Sequence, residues 1–128
     1  MKKLILIILA MLGLTACGQD TENIQEAVYV NITAQQAKEI MDTQKDYVIL
    51  DTRTQEEYEE SHIPGAILIP YDEILDKAEA VLTDKNQLIL VYCRSGRRSK
   101  LAAQDLVKLG YTNIKEFGGI IDWPYEVE

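Results

Sequence analysis

One stretch of this chain, LILVYCRSGRRSKLAAQDLVKLG, limits the folds open to it more than any other. It begins with an apolar run, Leu88 to Tyr92, and continues through Cys93 into a loop rich in Gly, Ser and Arg. The loop gives way to a helical pattern over Arg97 to Leu109, and Gly110 stands at its expected end. Short continuous apolar runs are typical of strands buried in parallel sheets. The stretch therefore predicts a strand–loop–helix unit with a lone thiol at its turn.

Strand and helix patterns alternate through the rest of the chain. The predicted elements are a helix capped by Thr33 (33–44), a strand (47–50), an acidic helix capped by Thr54 with Glu57 completing a capping box, a strand near 66–69, a helix (71–82) and a final strand (113–117). Alternation of this kind predicts an α/β domain with a central parallel sheet and helices on both faces. Binding sites in such sheets lie beyond the carboxyl ends of strands, where Cys93 is placed.

The N-terminal residues have the pattern of an export signal. Lys2 and Lys3 precede an apolar run from Leu4 to Leu14, which is shorter than the roughly 20 residues of a membrane span. The sequence LTAC, ending at Cys17, resembles the lipobox of bacterial lipoproteins. That resemblance implies cleavage before Cys17 and lipidation of its thiol. We expect residues 1–16 to be the signal peptide, 17–27 the lipidated cysteine with a polar tether, and 28–128 the folded domain, anchored to a bacterial membrane outside the cytoplasm.

The charge balance and the cysteine count narrow the function. The chain has 13 Lys and Arg against 21 Asp and Glu, a formal net charge of -8, which argues against nucleic acid as the main partner. It has two cysteines, and lipidation of Cys17 would leave Cys93 without an intramolecular disulfide partner. Exported domains usually pair their cysteines or lack them. Reactivity is the leading reason to keep a solitary Cys93.

The loop after Cys93 is suited to negative charge. The thiolate is the nucleophilic form of cysteine, and helix N-termini and neighbouring cations stabilise it. Gly96 permits a tightly curved backbone whose amides can point at one sulfur or oxyanion. The remaining members add cations or hydroxyl donors: Arg94, Ser95, Arg97, Arg98 and Ser99. We expect residues 94–99 to form a substrate-binding cradle around a nucleophilic Cys93.

The sequence VYCRSGRRS resembles the active-site loop of rhodanese-like sulfurtransferases. VILDTRTQEEYEESHIPGAILIP, YDEI, KLGYTNIKEFGGI and the closing DW resemble further segments of that family in the same order, so the likeness covers about residues 28–125. It implies a small rhodanese-like domain that moves a sulfane sulfur from thiosulfate or a persulfide donor to a thiol or cyanide acceptor. Cys93 would carry the sulfur as a persulfide. Arg94 and Arg98 would recognise an anionic donor.

Two other functions remain open. Rhodanese-like domains also serve as docking or sulfur-sensing modules, usually when the cysteine has been lost; here it is present. Cysteine-dependent phosphatases and arsenate reductases use a loop of Cys, five residues and Arg, which would require Arg at the position of Ser99. Arg98 closes a loop one residue shorter, and the shorter loop favours sulfur over a tetrahedral phosphate.

Several other polar residues have weaker claims to a role. Asp51 and Arg53 end the first strong strand on the same sheet edge as Cys93, and we predict that they support the site by tying loops together. His62, the only histidine, is expected to fix a loop. The acidic residues of 56–60 are expected to form a solvated helix face. One histidine and one free cysteine cannot supply the usual zinc ligands, so we predict no metal and no cofactor.

Overall fold

The computed structural model describes residues 28–128. In chain order its elements are β1 (Val30–Asn31), α1 (Ala34–Thr43), β2 (Tyr47–Asp51), α2 (Gln55–Glu60), β3 (Ile67–Leu68), a 3₁₀ turn (Tyr71–Glu73), α3 (Ile74–Val81), β4 (Leu88–Cys93), α4 (Arg97–Lys108), β5 (Ile114–Gly119) and a 3₁₀ turn (Ile120–Asp122). The signal peptide, Cys17 and the tether predicted for residues 1–27 lie outside the described residues. None of the helices within 28–128 is long and apolar enough to span a membrane.

The five strands form one parallel sheet in the order β1-β5-β4-β2-β3. The prediction of a central parallel sheet is therefore confirmed. β1 was not predicted, because its two residues are exposed and carry no periodic signal. The helix predicted over 71–82 begins instead as a 3₁₀ turn and becomes α-helical at Ile74.

β4 is the central strand, and all six of its residues are buried. Its side chains alternate between two apolar clusters, as the period of a strand requires. On one face Ile89 and Val91 pack with α3 and α4. On the other face Leu90 and Tyr92 pack with α1 and the segment around Trp123. Helices therefore cover both faces, as predicted.

The two predicted helix caps are present. The Thr33 hydroxyl accepts a hydrogen bond from the Gln36 amide, and the Thr54 hydroxyl accepts one from the Glu57 amide. In both cases the side chain at the third helical position returns a contact to the cap backbone, which completes a capping box. The second box fixes Glu57 at the start of α2.

Candidate active site

Cys93 is the last residue of β4 and is 1% exposed. The sequence pattern predicted this thiol at the turn after the strand, and the structure places it within the strand and buried. The reason is that β2 pairs with β4 up to Tyr92 and β5 pairs with it up to Cys93, so the strand stays covered to its carboxyl end. Burial alone would also suit a structural cysteine, and the polar contacts of the sulfur are what distinguish the two roles.

The Cys93 sulfur has two polar neighbours from the loop that follows it. The backbone amide of Gly96 donates to Sγ at 2.9 Å, and Ser99 Oγ lies 3.3 Å from Sγ. Gly96 has a φ of +112°, a left-handed conformation that L side chains rarely adopt. This glycine therefore turns its own amide back toward the sulfur, as the predicted cradle requires.

The N-terminus of α4 begins immediately after this turn. Its first intrahelical hydrogen bond runs from the Lys100 amide to the Gly96 carbonyl at 3.3 Å. The amides of Arg97, Arg98 and Ser99 therefore precede the hydrogen-bonded ladder of the helix. Such a helix end favours negative charge, so a thiolate or anion at Cys93 would be stabilised.

A second glycine keeps the loop close to β5. Gly119 pairs with Cys93, and a Cβ added to it would lie 1.9 Å from the Arg94 carbonyl oxygen. The Ile121 amide donates to that same carbonyl at 3.2 Å. Only a residue without a side chain permits this approach, so Gly119 sets the path of the loop.

Arg98 is paired with a carboxylate. Its Nη1 and Nη2 donate to Glu57 Oε1 and Oε2 at 2.8 and 3.0 Å, and both side chains are half-buried. The hydrogen bonds from Arg98 lower the pKa of Glu57 to about 2. The sequence predicted that Glu57 would be part of a solvated helix face. In the structure it instead links α2 to α4. The Arg98 predicted to recognise a donor holds this link in the structure.

The remaining loop residues differ in exposure. Arg94, Ser95 and Arg97 are exposed, and Arg97 lies over the Tyr71 ring at 5.8 Å from its centroid. Ser99 is fully buried. The structure thus places Gly96 and Ser99 at the sulfur, and it places Arg94 and Arg97 on the outer surface of the loop.

Asp51 and Arg53 form a separate buried network. The Arg53 guanidinium donates to both Asp51 oxygens, at 2.7 Å for the shortest contact, and to the Ser61 carbonyl at 2.7 Å. The Tyr92 hydroxyl donates to Asp51 at 2.6 Å, and burial together with this bond raises the pKa of Tyr92 well above its usual range. These contacts join β2, β4 and the loop at Ser61. They give Asp51 and Arg53 the loop-tying geometry that the sequence suggested.

His62 likewise holds a loop. Its ring stacks on Tyr58 at 3.9 Å between centroids, and Nδ1 lies 2.8 Å from the Tyr58 carbonyl. Nε2 lies 3.4 Å from a Glu128 carboxylate oxygen, while the two backbones exchange hydrogen bonds. The chain end is thereby fastened beside the Pro-Gly turn.

One further residue at the site was not predicted from the sequence. Glu116 of β5 is 1% exposed, and its Oε2 accepts from Ser99 Oγ at 2.5 Å and from the Gly118 amide at 3.0 Å. A single glutamate in a short strand carries no local signal of burial. Its position follows from the alternation of β5, which turns Glu116 to the same face as Ile114, where α4 and its Ser99 lie.

The structure is thus an α/β domain. A loop that begins at a cysteine joins its central strand to a helix N-terminus. Residues 33–124 match the family model described as Rhodanese-like domain. The chain belongs to the rhodanese-like domain family, as the sequence resemblance predicted.

Relatives of this chain include thiosulfate sulfurtransferases. It is 38% identical to "Thiosulfate sulfurtransferase PspE" of Escherichia coli over 73 residues, 57% of this chain and 70% of that protein. It is 34% identical to "Thiosulfate sulfurtransferase GlpE" of Coxiella burnetii over 97 residues, 75% of this chain and 88% of that protein. The solved structure "rhodanese with anions from E. coli" matches with a TM-score of 0.60 and 34% identity over 64% of this chain and 96% of that one.

The close approach at Gly119 makes a first prediction. Gly119→Ala should lower the free energy of unfolding by roughly 3 kcal/mol or more, because the new methyl group overlaps the Arg94 backbone. Gly118→Ala is the matched control. Gly118 has a φ of +90° but open space around its Cβ position, so its cost is the left-handed strain of about 1–2 kcal/mol. Urea unfolding of both variants tests this. Equal losses would contradict the steric account.

The Arg98–Glu57 pair makes a pH prediction. The folded-state pKa of Glu57, about 2, lies below the ordinary glutamate value of 4.5, so the folded protein binds fewer protons here than the unfolded chain. The stabilisation is full above about pH 4.5 and is lost as the pH falls toward 2. We expect about 1–2 kcal/mol, discounted for partial solvent screening. Urea unfolding at pH 7, 4.5 and 3 should show the difference between the wild type and Glu57→Gln shrinking with acid. A constant difference would contradict it.

Proposed function

We propose that this protein is a sulfurtransferase in which Cys93 carries the transferred sulfur. The observation that supports this most is the position of Sγ, which receives a hydrogen bond from the Gly96 amide at the N-terminus of α4. A group placed there is favoured in its anionic form, whether thiolate or persulfide. Relatives named as thiosulfate sulfurtransferases support the same assignment.

The proposed reaction has two displacements. The Cys93 thiolate attacks the outer sulfur of thiosulfate; a bond forms between Sγ and that sulfur, and the sulfur–sulfur bond of thiosulfate breaks. Sulfite leaves with the bonding electron pair, and Cys93 is left as a persulfide anion. Cyanide or an acceptor thiolate then attacks the outer sulfur, and the Cys93 thiolate is restored.

The acceptor in this scheme comes from outside the domain. Residues 28–128 contain one cysteine, Cys93, so no second thiol in that range can remove the sulfur. We propose a small-molecule donor and a thiol acceptor as partners. Neither step requires a cofactor, because sulfur transfer between these groups is balanced in electrons.

Donor binding is assigned to the outer surface of the loop. Arg94 and Arg97 are exposed, whereas Arg98 is engaged by Glu57. Positively charged side chains on this surface would raise the local concentration of a dianionic donor such as thiosulfate. This division gives Arg94 a binding role and Arg98 mainly a structural one.

We also propose that the protein acts at a membrane surface outside the cytoplasm. This rests on the lipobox-like sequence ending at Cys17 and on the basic and apolar segments before it. The wild type should incorporate a labelled fatty acid, and Cys17→Ser should not. Equal labelling of the wild type and Cys17→Ser would contradict the anchor.

The persulfide is tested by mass. Intact-mass spectrometry of the protein before and after thiosulfate should show a gain of one sulfur atom that cyanide removes. Cys93→Ser should show no gain, because the nucleophile is absent. Cys17→Ser is the matched control, since it removes the other thiol of the chain and should load normally.

Two outcomes would count against the sulfurtransferase. If the wild type gains no sulfur from thiosulfate or from persulfide donors, the activity is absent and a docking or sensing module becomes the better account. If Cys93→Ser still gains sulfur, another group carries it.

Donor recognition makes a separate prediction. Arg94→Gln should raise the KM for thiosulfate up to about fivefold with little change in kcat, because an exposed ionic contact is worth at most about 1 kcal/mol. Lys45→Gln makes the same charge change at an exposed position before β2 and should leave KM unchanged. Initial rates over a range of thiosulfate concentrations measure both. Equal effects of the two variants would show that only net charge matters.

A further inference from the structure

The buried carboxylate of Glu116 is the one charged group near Cys93 that the proposed displacements leave without a task. It is fully enclosed at β5, and Ser99 Oγ stands between it and the Cys93 sulfur. The two distances along this line are 3.3 Å from Sγ to Oγ and 2.5 Å from Oγ to Glu116 Oε2. An ionisable group that is buried at a site costs free energy to hold there and needs a physical explanation.

The hydroxyl hydrogen of Ser99 has four acceptors within reach. Glu116 Oε2 is nearest at 2.5 Å, followed by the Gly96 carbonyl at 3.1 Å, Cys93 Sγ at 3.3 Å and the Gly118 carbonyl at 3.5 Å. One hydroxyl has one hydrogen to donate. We assign it to the carboxylate, because a hydrogen bond from a hydroxyl to an anion is the shortest and strongest of the four.

This assignment changes the role of Ser99 toward the sulfur. With its hydrogen on the Glu116 side, Ser99 Oγ presents a lone pair to Cys93. It can then accept a hydrogen bond from the Cys93 thiol, whereas the loop sequence predicted that it would donate to a thiolate. Gly96 supplies the donor that a thiolate requires. The sulfur therefore has an acceptor for its proton on one side and a donor for its negative charge on the other.

We propose that Ser99 and Glu116 form a proton path from the Cys93 thiol to a buried carboxylate. The S–H bond breaks as its proton passes to Ser99 Oγ, the Ser99 proton passes to Glu116, and the products are a thiolate and a neutral carboxylic acid. The proton remains on Glu116 while Cys93 carries sulfur, and it returns by the same path when the thiolate is restored. This role rests on the proposed function; Ser99 touches the reacting atom, and Glu116 acts through it.

The charged groups around Ser99 and Glu116 influence the proposed proton transfer from Cys93. From α4, Lys100 Nζ lies 3.5 Å from Glu116 Oε1, and Arg98 lies near enough to Cys93 for the two to interact electrostatically. Arg98 is itself paired with Glu57 of α2. β1 and β4 pair with β5 at this position through Asn31 and Val91, which carry no titratable group. Lys100 and the Gly118 amide therefore both contact the carboxylate that would receive the proton.

The path is tested by alkylation of Cys93 with iodoacetamide between pH 4 and 9 in the full chain. The extent of reaction is read on the Cys93-containing peptide by mass spectrometry. In the wild type a fixed minor fraction has its proton on Glu116, so the rate should level off below the thiol titration. In Glu116→Gln the rate should instead fall about tenfold for each pH unit, because the buried acceptor of the proton is gone. In Ser99→Ala the height of the plateau should change, because the hydroxyl that hydrogen-bonds to both groups is lost.

Controls separate this role from a structural one. Glu39→Gln makes the same change on the exposed side of α1 and should keep the wild-type plateau. Ser99→Ala tests the path even if Glu116→Gln fails to fold, and thermal unfolding reports which variants are folded. Above the thiol titration all folded variants should react at similar rates, since the thiolate is already formed. A merely structural defect would lower the rate at every pH.

Three results would overturn the proposal. The first is a wild-type rate that itself falls tenfold per pH unit. The second is a plateau that survives in a folded Glu116→Gln, or one of unchanged height in a folded Ser99→Ala. The third is faster alkylation of Glu116→Gln at low pH, which would make Glu116 only a repelling charge. Alkylation needs no sulfur donor, so these outcomes are independent of whether Cys93 carries sulfane sulfur.

Discussion

The burial of β4 between β2 and β5 is the constraint on which the site depends. Parallel neighbours pair with it on both edges, β2 up to Tyr92 and β5 up to Cys93, and the chain turns only after Cys93. There the backbone of Gly119 stands so close that the loop must curve tightly, and Gly96 supplies the left-handed residue for that curve. The turn leads directly into α4. The sulfur on the last residue of the buried strand therefore lies at a helix N-terminus, where negative charge is favoured.

The second determinant is how the chain distributes charge around that sulfur. Four of the 13 basic residues lie within the seven positions 94–100, in a chain of net charge -8. Two of them face carboxylates, Arg98 with Glu57 and Lys100 with Glu116. Arg94 and Arg97 are left on the exposed surface of the loop. Structural and substrate-binding cations are thereby separated within one short segment.

Local patterns in the sequence were sufficient for most of the fold. The apolar runs located β2 and β4, and the threonines that begin α1 and α2 located the caps, because these signals are read within a few residues. Contacts between distant residues were not predictable in this way. Arg98 and Glu57 are 41 positions apart, and Glu116 is in contact with Ser99 of α4, 17 positions away. Both were missed, since tertiary pairing leaves no local trace in the sequence.

The central claim is that the loop following β4 holds a transferred sulfur on Cys93. A crystal structure of the protein after exposure to thiosulfate tests this most directly. The account predicts one additional sulfur bonded to Cys93 Sγ, within hydrogen-bonding distance of backbone amides of residues 94–99. An unmodified Cys93 with thiosulfate bound elsewhere would contradict it, as would a modified sulfur that points away from the loop amides.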